Sequence, residues 1–231
     1  STTIKNSKEI QNRLVSNNQT LNVISVLLKE FDLPDIATLL NEKIIEYASD
    51  SSAYFSHSYE VEEIYKLLMN KYFYAIWPTL SNALLSDKEH YMTYINLKSL
   101  LGTSIIDETQ PIIMVGNHIK EIMDWCDANP DVAPARIAGM IIVAKDDHFT
   151  DEAIALIDNY ADRPYVLDEI GCNLDSFSSV GSVVPYYERR MKIYNTMLNH
   201  NNAIVREWAK KQSDACRYLM QRESNAEEEK I

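Results

Sequence analysis

Apolar side chains recur every three or four residues along most of the chain, the spacing that places them on one face of an α-helix. One such run follows Leu33-Pro34, and the next consists of Val61, Ile64, Leu68, Tyr72 and Ala75. We expect Trp77-Pro78 to interrupt this second helix, because proline lacks a backbone donor and clashes with the preceding turn. The pattern as a whole predicts about ten helices joined by short loops.

The middle of the chain carries further helical patterns. Pro111 is predicted to lie in the first turn of a helix whose apolar face is Ile112, Val115, Ile119, Ile122 and Cys126. Residues 137–144 are apolar nearly all round, which predicts a helix at the centre of the core. Thr150 precedes two acidic residues and is predicted to cap the next helix. Only residues 180–187 resemble a strand, and Pro185 weakens that assignment.

Residues 200–211, HNNAIVREWAKK, place a turn of small polar residues before a helix that runs through Leu219. At about 100° per residue, Trp208 falls on the apolar side of this helix and is predicted to anchor the core. That apolar side consists of Ile204, Trp208, Ala215 and Leu219. The opposite side carries a basic stripe of Arg206, Lys210 and Arg217.

Two segments share one plan, in which an amphipathic helix and a polar turn precede an Arg and an Ala that open a second helix. They are IKEIMDWCDANPDVAPARIAGMIIVA and YERRMKIYNTMLNHNNAIVREWAKKQ. This plan resembles HEAT-like repeats. Residues 105–222, with SFSSVGSVVPYYERR before the HNNAIVREWA turn, resemble C-terminal helical-repeat regions of large bacterial proteins, some of them nucleotide-dependent sensors in antiviral defence.

The resemblance implies an all-α fold, a right-handed α-solenoid of stacked HEAT-like helical hairpins. It divides the chain into an N-terminal helical region (1–104), a HEAT-like repeat region (105–222) and an acidic tail (223–231). Solenoids of this kind bind other macromolecules along their extended surfaces.

Charge is distributed unevenly. The 231 residues carry a net charge of −12, and residues 101–170 hold 14 acidic but only 4 basic side chains. Such a region repels nucleic acid and anionic membranes. No apolar run approaches the ~20 residues that span a bilayer, and the polar start STTIKNSKEIQ does not fit a signal peptide. The three cysteines lack CxxC spacing, and reduced thiols predict a cytoplasmic protein.

Candidate chemical groups are scattered. His118 and Glu121 are three residues apart, and Asp146, Asp147 and His148 are adjacent, but a zinc site needs three or four converging ligands. Cys126 lies on an apolar stripe, which favours a buried, inert thiol over a nucleophile. The chain contains no phosphate-binding, dinucleotide-binding or hydrolase motif. We therefore predict no catalytic residue, no metal, no cofactor and no enzymatic activity.

The serine-rich loop 176–185 and the residues after it form the predicted partner-binding site. Tyrosine and arginine are enriched in protein interfaces, and function concentrates in loops held by rigid scaffolds. The predicted residues are Ser178, Ser179, Tyr186, Arg189, Arg190, Arg206, Lys210 and Arg217. The alternative interpretation is a flexible link between repeats, with the basic residues forming an ordinary solvated face.

These observations favour a non-enzymatic helical-repeat scaffold or recognition domain that binds a protein partner within a bacterial defence or sensor system. One alternative is a nucleic-acid-binding module that uses the basic residues between 189 and 222. Another is an acidic inhibitor or immunity-type protein that covers a basic partner with residues 101–170.

Overall fold

A computed structural model of the protein describes residues 18–49, 59–86, 91–102, 110–175 and 182–228. The chain divides into two compact units, Ser1–Ala128 and Asn129–Ile231. The described residues form eleven α-helices and two strands of two residues each, which confirms the prediction of a helical protein. The stacking of these helices as a HEAT-like solenoid stays a prediction.

The described part of the first unit forms six α-helices. They are α1 (Asn18–Glu30), α2 (Pro34–Ser49), α3 (Tyr59–Lys71), α4 (Phe73–Leu84), α5 (Tyr91–Gly102) and α6 (Ile119–Ala128), with a 3-10 turn at Ile112–Met114. Helix α1 packs on α3, and α2 packs on α4 and α5. The core consists of aliphatic side chains with Tyr65 and Phe73 among them.

The predicted break at Trp77-Pro78 is wrong. Helix α4 runs through Pro78, and the helical path is broken earlier, at Tyr72 (φ −123°, ψ 20°). Proline at position 78 leaves the carbonyl of Tyr74 without its helical donor, and Tyr74 is exposed, so water can take that place. The break at Tyr72 instead lets its side chain reach the end of α1, where its hydroxyl contacts two carbonyl oxygens.

The helix predicted to begin near Pro111 begins at Ile119 instead. Pro111 precedes the 3-10 turn, and Val115 is extended. Gly116 and Asn117 then both adopt positive φ, 82° and 58°. Two successive left-handed residues end any right-handed helix, so only the later part of the predicted stripe is helical.

Within the second unit, the residues that the structure describes form five α-helices and a β-hairpin. They are α7 (Ala133–Ala138), β1 (Ala144–Lys145), β2 (His148–Phe149), α8 (Asp151–Tyr160), α9 (Val166–Asp175), α10 (Val184–Asn195) and α11 (Ala203–Glu228). Thr150 caps α8 as predicted, because its side chain accepts a hydrogen bond from the Ala153 N–H. The strands pair antiparallel around a two-residue turn, Asp146-Asp147, in which both residues have positive φ.

Residues 137–144 lie in the core as predicted, but only Ile137 and Ala138 are helical, at the end of α7. Ile137, Met140, Ile141 and Val143 are buried. The backbone leaves α7 after Ala138 and becomes extended, and the carbonyls of Ile142 and Val143 accept hydrogen bonds from Thr150. Consecutive β-branched side chains favour this extended path over a helix.

The strand suggested by the pattern at residues 180–187 is not formed in its described part. Helix α10 begins at Val184, and Pro185 lies in its first turn.

Helices α10 and α11 pack against each other as the helical hairpin predicted from the polar turn at 200–202. Trp208 is buried, 8% exposed, and contacts the rings of Tyr194 and Phe149, as predicted for a core anchor. The apolar face is rotated from the predicted one, because Ile204 is 48% exposed while Val205, Ala209 and Cys216 are buried.

The predicted regions and the observed units have different bounds. The predicted repeat region, 105–222, spans the division between the units at residue 128. Helix α11 continues to Glu228, so residues 223–228 of the predicted acidic tail are helical. Among the described residues, no helix combines the length and apolar character needed to cross a membrane.

Candidate functional site

Helix α1 carries apolar side chains on two opposite faces. Leu21 and Leu28 are fully buried and form its inner face against the unit. The outer face carries three large apolar side chains, and Phe31 continues this face directly after the helix, where its N–H still bonds to the Leu27 carbonyl. All four side chains are between 43% and 60% exposed and are here called the α1 stripe: Val23, Val26, Leu27 and Phe31. At about 100° per residue they lie roughly 140° to 280° around the helix from Leu21. A helix that is apolar on both faces is typical of one covered on both sides.

The C-terminal end of the stripe is held by side chains from the end of α3. The Lys71 ammonium donates hydrogen bonds to the carbonyls of Leu28 and Phe31, each at 2.9 Å. The Tyr72 hydroxyl lies 3.0 Å from the Leu28 oxygen and 2.8 Å from the Phe31 oxygen. A cation at a helix C-terminus also complements the helix dipole. The backbone carbonyl of Phe31 is therefore held by two side chains, while the Phe31 ring is exposed.

The start of α2 adds exposed apolar side chains, Ile36 and Leu39, next in sequence to this end of α1. The charged side chains around them are mainly acidic. From residue 29 to residue 42, Lys29 is the one basic residue, against Glu30, Asp32, Asp35 and Glu42. The next lysine, Lys43, already pairs with Glu46 at 2.8 Å. The exposed apolar side chains thus have an acidic border.

The α1 stripe was missed in the sequence analysis, although a signal for it exists. In the segment TLNVISVLLKEF, apolar residues occupy both sides of the helical wheel rather than one. Such a segment is ordinarily assigned to the core because periodicity alone does not say how many sides are covered.

The predicted partner-binding residues of the second unit fall into groups with different surroundings. Ser178 and Ser179 lie outside the described residues. Tyr186 is half-buried, and its hydroxyl donates to the carbonyl of Leu174 at 2.6 Å. Burial raises the pKa of Tyr186 to about 12. This tyrosine joins α10 to the end of α9.

Arg189 and Arg190 are neighbours with opposite environments. Arg189 is exposed and its Nε lies 2.8 Å from the Asp147 carboxylate, which ties α10 to the turn of the hairpin. Arg190 is 6% exposed, and its guanidinium lies over the rings of Tyr186 and Tyr194, at 5.4 and 5.9 Å. Cation–π contacts of this kind stabilise the packing of α10. The Arg190 side chain is thus part of the interior rather than of the surface.

Arg206 is exposed, as predicted, but its guanidinium is hydrogen-bonded to the turn that precedes α11. Its Nη1 donates to the carbonyls of His200 and Asn201, at 2.7 and 2.8 Å. Asn202 caps the helix, because its side-chain oxygen accepts from the Ile204 N–H. The Nδ1 of His200 accepts from the Asn202 N–H, which leaves the proton on Nε2, 2.7 Å from Asp158. The His200 ring therefore links the turn to α8.

The other two residues of the basic stripe differ from Arg206. Arg217 pairs with Asp214 on the same helix at 2.6 Å. Lys210 is exposed and forms no hydrogen bond or ion pair with a described residue. Glu207 and Asp214 lie on the same exposed side of α11. The structure therefore places Arg206, Lys210 and Arg217 on one exposed side, where acidic residues interrupt them.

His118 has a packing role that the sequence analysis did not predict. Its ring stacks on Phe73 with the ring centres 3.9 Å apart, and its Nε2 lies 3.1 Å from the carbonyl of Met69. A Cβ at Gly116 would lie 2.7 Å from that nitrogen, so glycine allows this contact. Glu121 accepts a hydrogen bond from Tyr74 at 2.6 Å, and this bond lowers the Glu121 pKa. The two predicted candidates thus have different partners.

The described cysteines include two buried thiols. Burial raises the pKa of Cys126 to about 12 and also raises the pKa of Cys216, so both are protonated at neutral pH. Cys172 is exposed. Within the described ranges, no three His, Cys, Asp or Glu side chains come together in a way that could hold a metal ion.

Comparisons of the chain with protein-family models, with curated proteins and with solved structures gave no match. The resemblance to HEAT-like repeats therefore stays a prediction.

Proposed function

We propose that this chain is a non-enzymatic helical recognition module that binds a protein partner through the α1 stripe. The observation that supports this proposal is the exposure of Val23, Val26 and Leu27 on α1, and of Phe31 at its end, while the opposite face of α1 is already buried. Contiguous exposed apolar side chains in otherwise soluble folds commonly mark protein interaction sites.

The energetics favour a covered stripe. Burial of apolar surface stabilises by about 25 cal/mol per Å², or about 1.5–3 kcal/mol for complete burial of one large side chain. The stripe combines an aromatic side chain with aliphatic ones, and aromatic side chains are enriched at the centres of interfaces. Because Lys71 and Tyr72 hold the Phe31 backbone, little conformational entropy is lost there on binding.

The basic residues of the second unit are less suited to carry the function. Arg190 is buried, Arg206 holds the turn before α11, and both Arg189 and Arg217 are paired with carboxylates. Binding of nucleic acid through these side chains would require them to exchange internal partners for phosphates. The proposal therefore rests on the first unit.

The test uses a photo-crosslinking amino acid at position 27, expressed in the native cells, with position 218 as a matched control. Tyr218 is 66% exposed on α11, so both probes are accessible to solvent. We expect position 27 to crosslink to a discrete protein, and an excess of unlabelled chain to compete. The same excess of the V23S/L27S/F31S variant should not compete. Equal crosslinking from both positions, or equal competition by both chains, contradicts the proposal.

A further inference from the structure

We infer that the partner segment seated on the α1 stripe is an amphipathic helix that carries basic residues beside its apolar face. This inference rests on the proposed function and specifies the partner's chemistry. Two features of the stripe support it, the spacing of its side chains and the charge of its border.

The spacing of the stripe matches the surface of another helix. Val23, Leu27 and Phe31 lie at successive four-residue steps, and Val26 lies beside them. Eight residues of helix extend about 12 Å, or roughly two turns. A ridge of residues four apart fits the groove between ridges of a second helix. A partner helix with apolar residues at i, i+3 or i+4, and i+7 offers the complementary surface.

The charge of the border selects basic residues in the partner. Glu30 lies on the wheel between Val26 and Val23, Asp32 lies between α1 and α2, and Asp35 is in the first turn of α2. Among the described residues of α1, α2 and the end of α3, the opposing cations are few. Lys29 is on α1, Lys43 is paired with Glu46, and the Lys71 ammonium is directed at carbonyl oxygens of the α1 end. Complementary charges beside an apolar contact raise association rates and fix its orientation.

The same charges disfavour two other occupants. A second copy of this chain, packed by a two-fold axis, brings the same patch against itself and so places acidic borders together. An anionic membrane surface meets the same repulsion. A basic amphipathic helix satisfies both the apolar stripe and its border.

The test measures binding of fluorescently labelled peptides to the full chain by anisotropy, in about 0.15 M salt to screen long-range attraction. The first probe is an amphipathic Leu/Lys helix of about four turns. The second is its Leu/Glu counterpart, and the third is a Leu/Lys peptide of the same composition without helical periodicity. We expect the amphipathic Leu/Lys helix to bind at least tenfold more tightly than either of the others.

Variants separate the apolar and charged contributions. V23S/L27S/F31S keeps every charge, so a loss of at least tenfold in affinity for the Leu/Lys helix locates binding to the stripe. E30Q/D32N/D35N keeps the apolar side chains and should bring the Leu/Lys and Leu/Glu helices within about threefold of each other. Tyr74→Ser, at an exposed aromatic residue of the same unit, is the matched control and should leave binding unchanged. Circular dichroism checks that each variant is folded.

The outcomes distinguish failure of this inference from failure of the proposed function. Equal binding of Leu/Lys and Leu/Glu helices, with both lost in V23S/L27S/F31S, overturns the basic partner but leaves the stripe as a protein-binding surface. Undiminished binding of the Leu/Lys helix by V23S/L27S/F31S overturns both proposals. A native dimer in sedimentation that becomes monomeric in this variant shows that a second copy occupies the stripe and overturns the inference. Binding of the chain to neutral phosphatidylcholine vesicles, with no binding of the Leu/Lys helix, overturns it in favour of a lipid surface.

Discussion

Helices α1 and α11 present opposite kinds of outer face. The exposed side of α11 carries cations interrupted by Glu207 and Asp214, and its tryptophan is turned inward to Tyr194 and Phe149. The exposed side of α1 carries the apolar α1 stripe, while its inner face is also apolar. Charged side chains are well solvated, so the exposed side of α11 is stable in contact with water. Burial of the α1 stripe against a partner would lower the free energy, because it removes apolar surface from water. The contrast indicates where binding is to be sought.

The largest expected effect distinguishes the buried Trp208 of α11 from the exposed Phe31 of the α1 stripe. Trp208→Ala should lower the free energy of unfolding by about 3–5 kcal/mol, because a buried aromatic side chain leaves a cavity. Phe31→Ala should change it by at most about 0.5 kcal/mol, because Phe31 is exposed. Urea denaturation of both variants measures this difference. A comparable loss for Phe31→Ala would show that the stripe is already covered within the chain.

The second effect concerns alkaline pH and Tyr194, which contacts Trp208. Burial raises the pKa of Tyr194 from 10.0 to about 12, so the folded state favours the neutral phenol. This contribution to stability is complete below pH 10 and is lost as the pH rises from 10 towards 12, on the order of 2 kcal/mol. Tyr194→Phe should reduce the loss of stability over this range, measured by urea midpoints, and the part that remains is expected from Tyr186, whose pKa is also raised to about 12. Tyr218→Phe, at an exposed site, serves as the control and should keep the slope.

The third effect separates the residues of the basic stripe. Arg206→Gln should lower the free energy of unfolding by about 1–2 kcal/mol, because two carbonyls of the turn lose a charged donor. Lys210→Gln should change it by at most about 0.5 kcal/mol, since Lys210 is exposed on the same face. Thermal and urea denaturation give both values. Equal values for the two variants would mean that the turn does not depend on Arg206.

The smallest effect concerns the hairpin turn of the second unit. Asp146 has φ 49°, a conformation that aspartate tolerates better than alanine. Asp146→Ala should lower the free energy of unfolding by about 1 kcal/mol, and Asp146→Gly should stay within about 0.5 kcal/mol of the native chain. Differential scanning calorimetry resolves such shifts. A destabilised glycine variant would indicate that the carboxylate, rather than the backbone, matters at this position.

Short-range features were predictable from the sequence. Thr150 caps α8 because a threonine before a helix has its donors within three residues. The turn at 200–202 was likewise evident, since Asn202 and Arg206 bond to atoms within six residues. The burial of Trp208 followed from the apolar side of one long helix, although the true face is rotated from Ile204 towards Val205.

Features that depend on distant residues were not predictable. The helix break moved from Pro78 to Tyr72 because the tyrosine reaches a carbonyl more than forty residues away in sequence. Arg190 looked like a surface residue beside Arg189, yet it is buried on α10, which packs against α11 from the far side of the turn at 200–202. Periodicity reports which side chains share a face but not what lies opposite that face.

The sequence by itself determined that the chain is helical, where a cap and a turn occur, and that Trp208 anchors its last hairpin, because these depend on hydrogen bonds and periodicity within a few residues. Tertiary structure decided which arginines are internal, where α4 and α6 begin, and which face of α1 is left exposed. Each of these depends on groups brought together from distant parts of the chain, and the α1 stripe is visible only once the inner face of α1 has been buried.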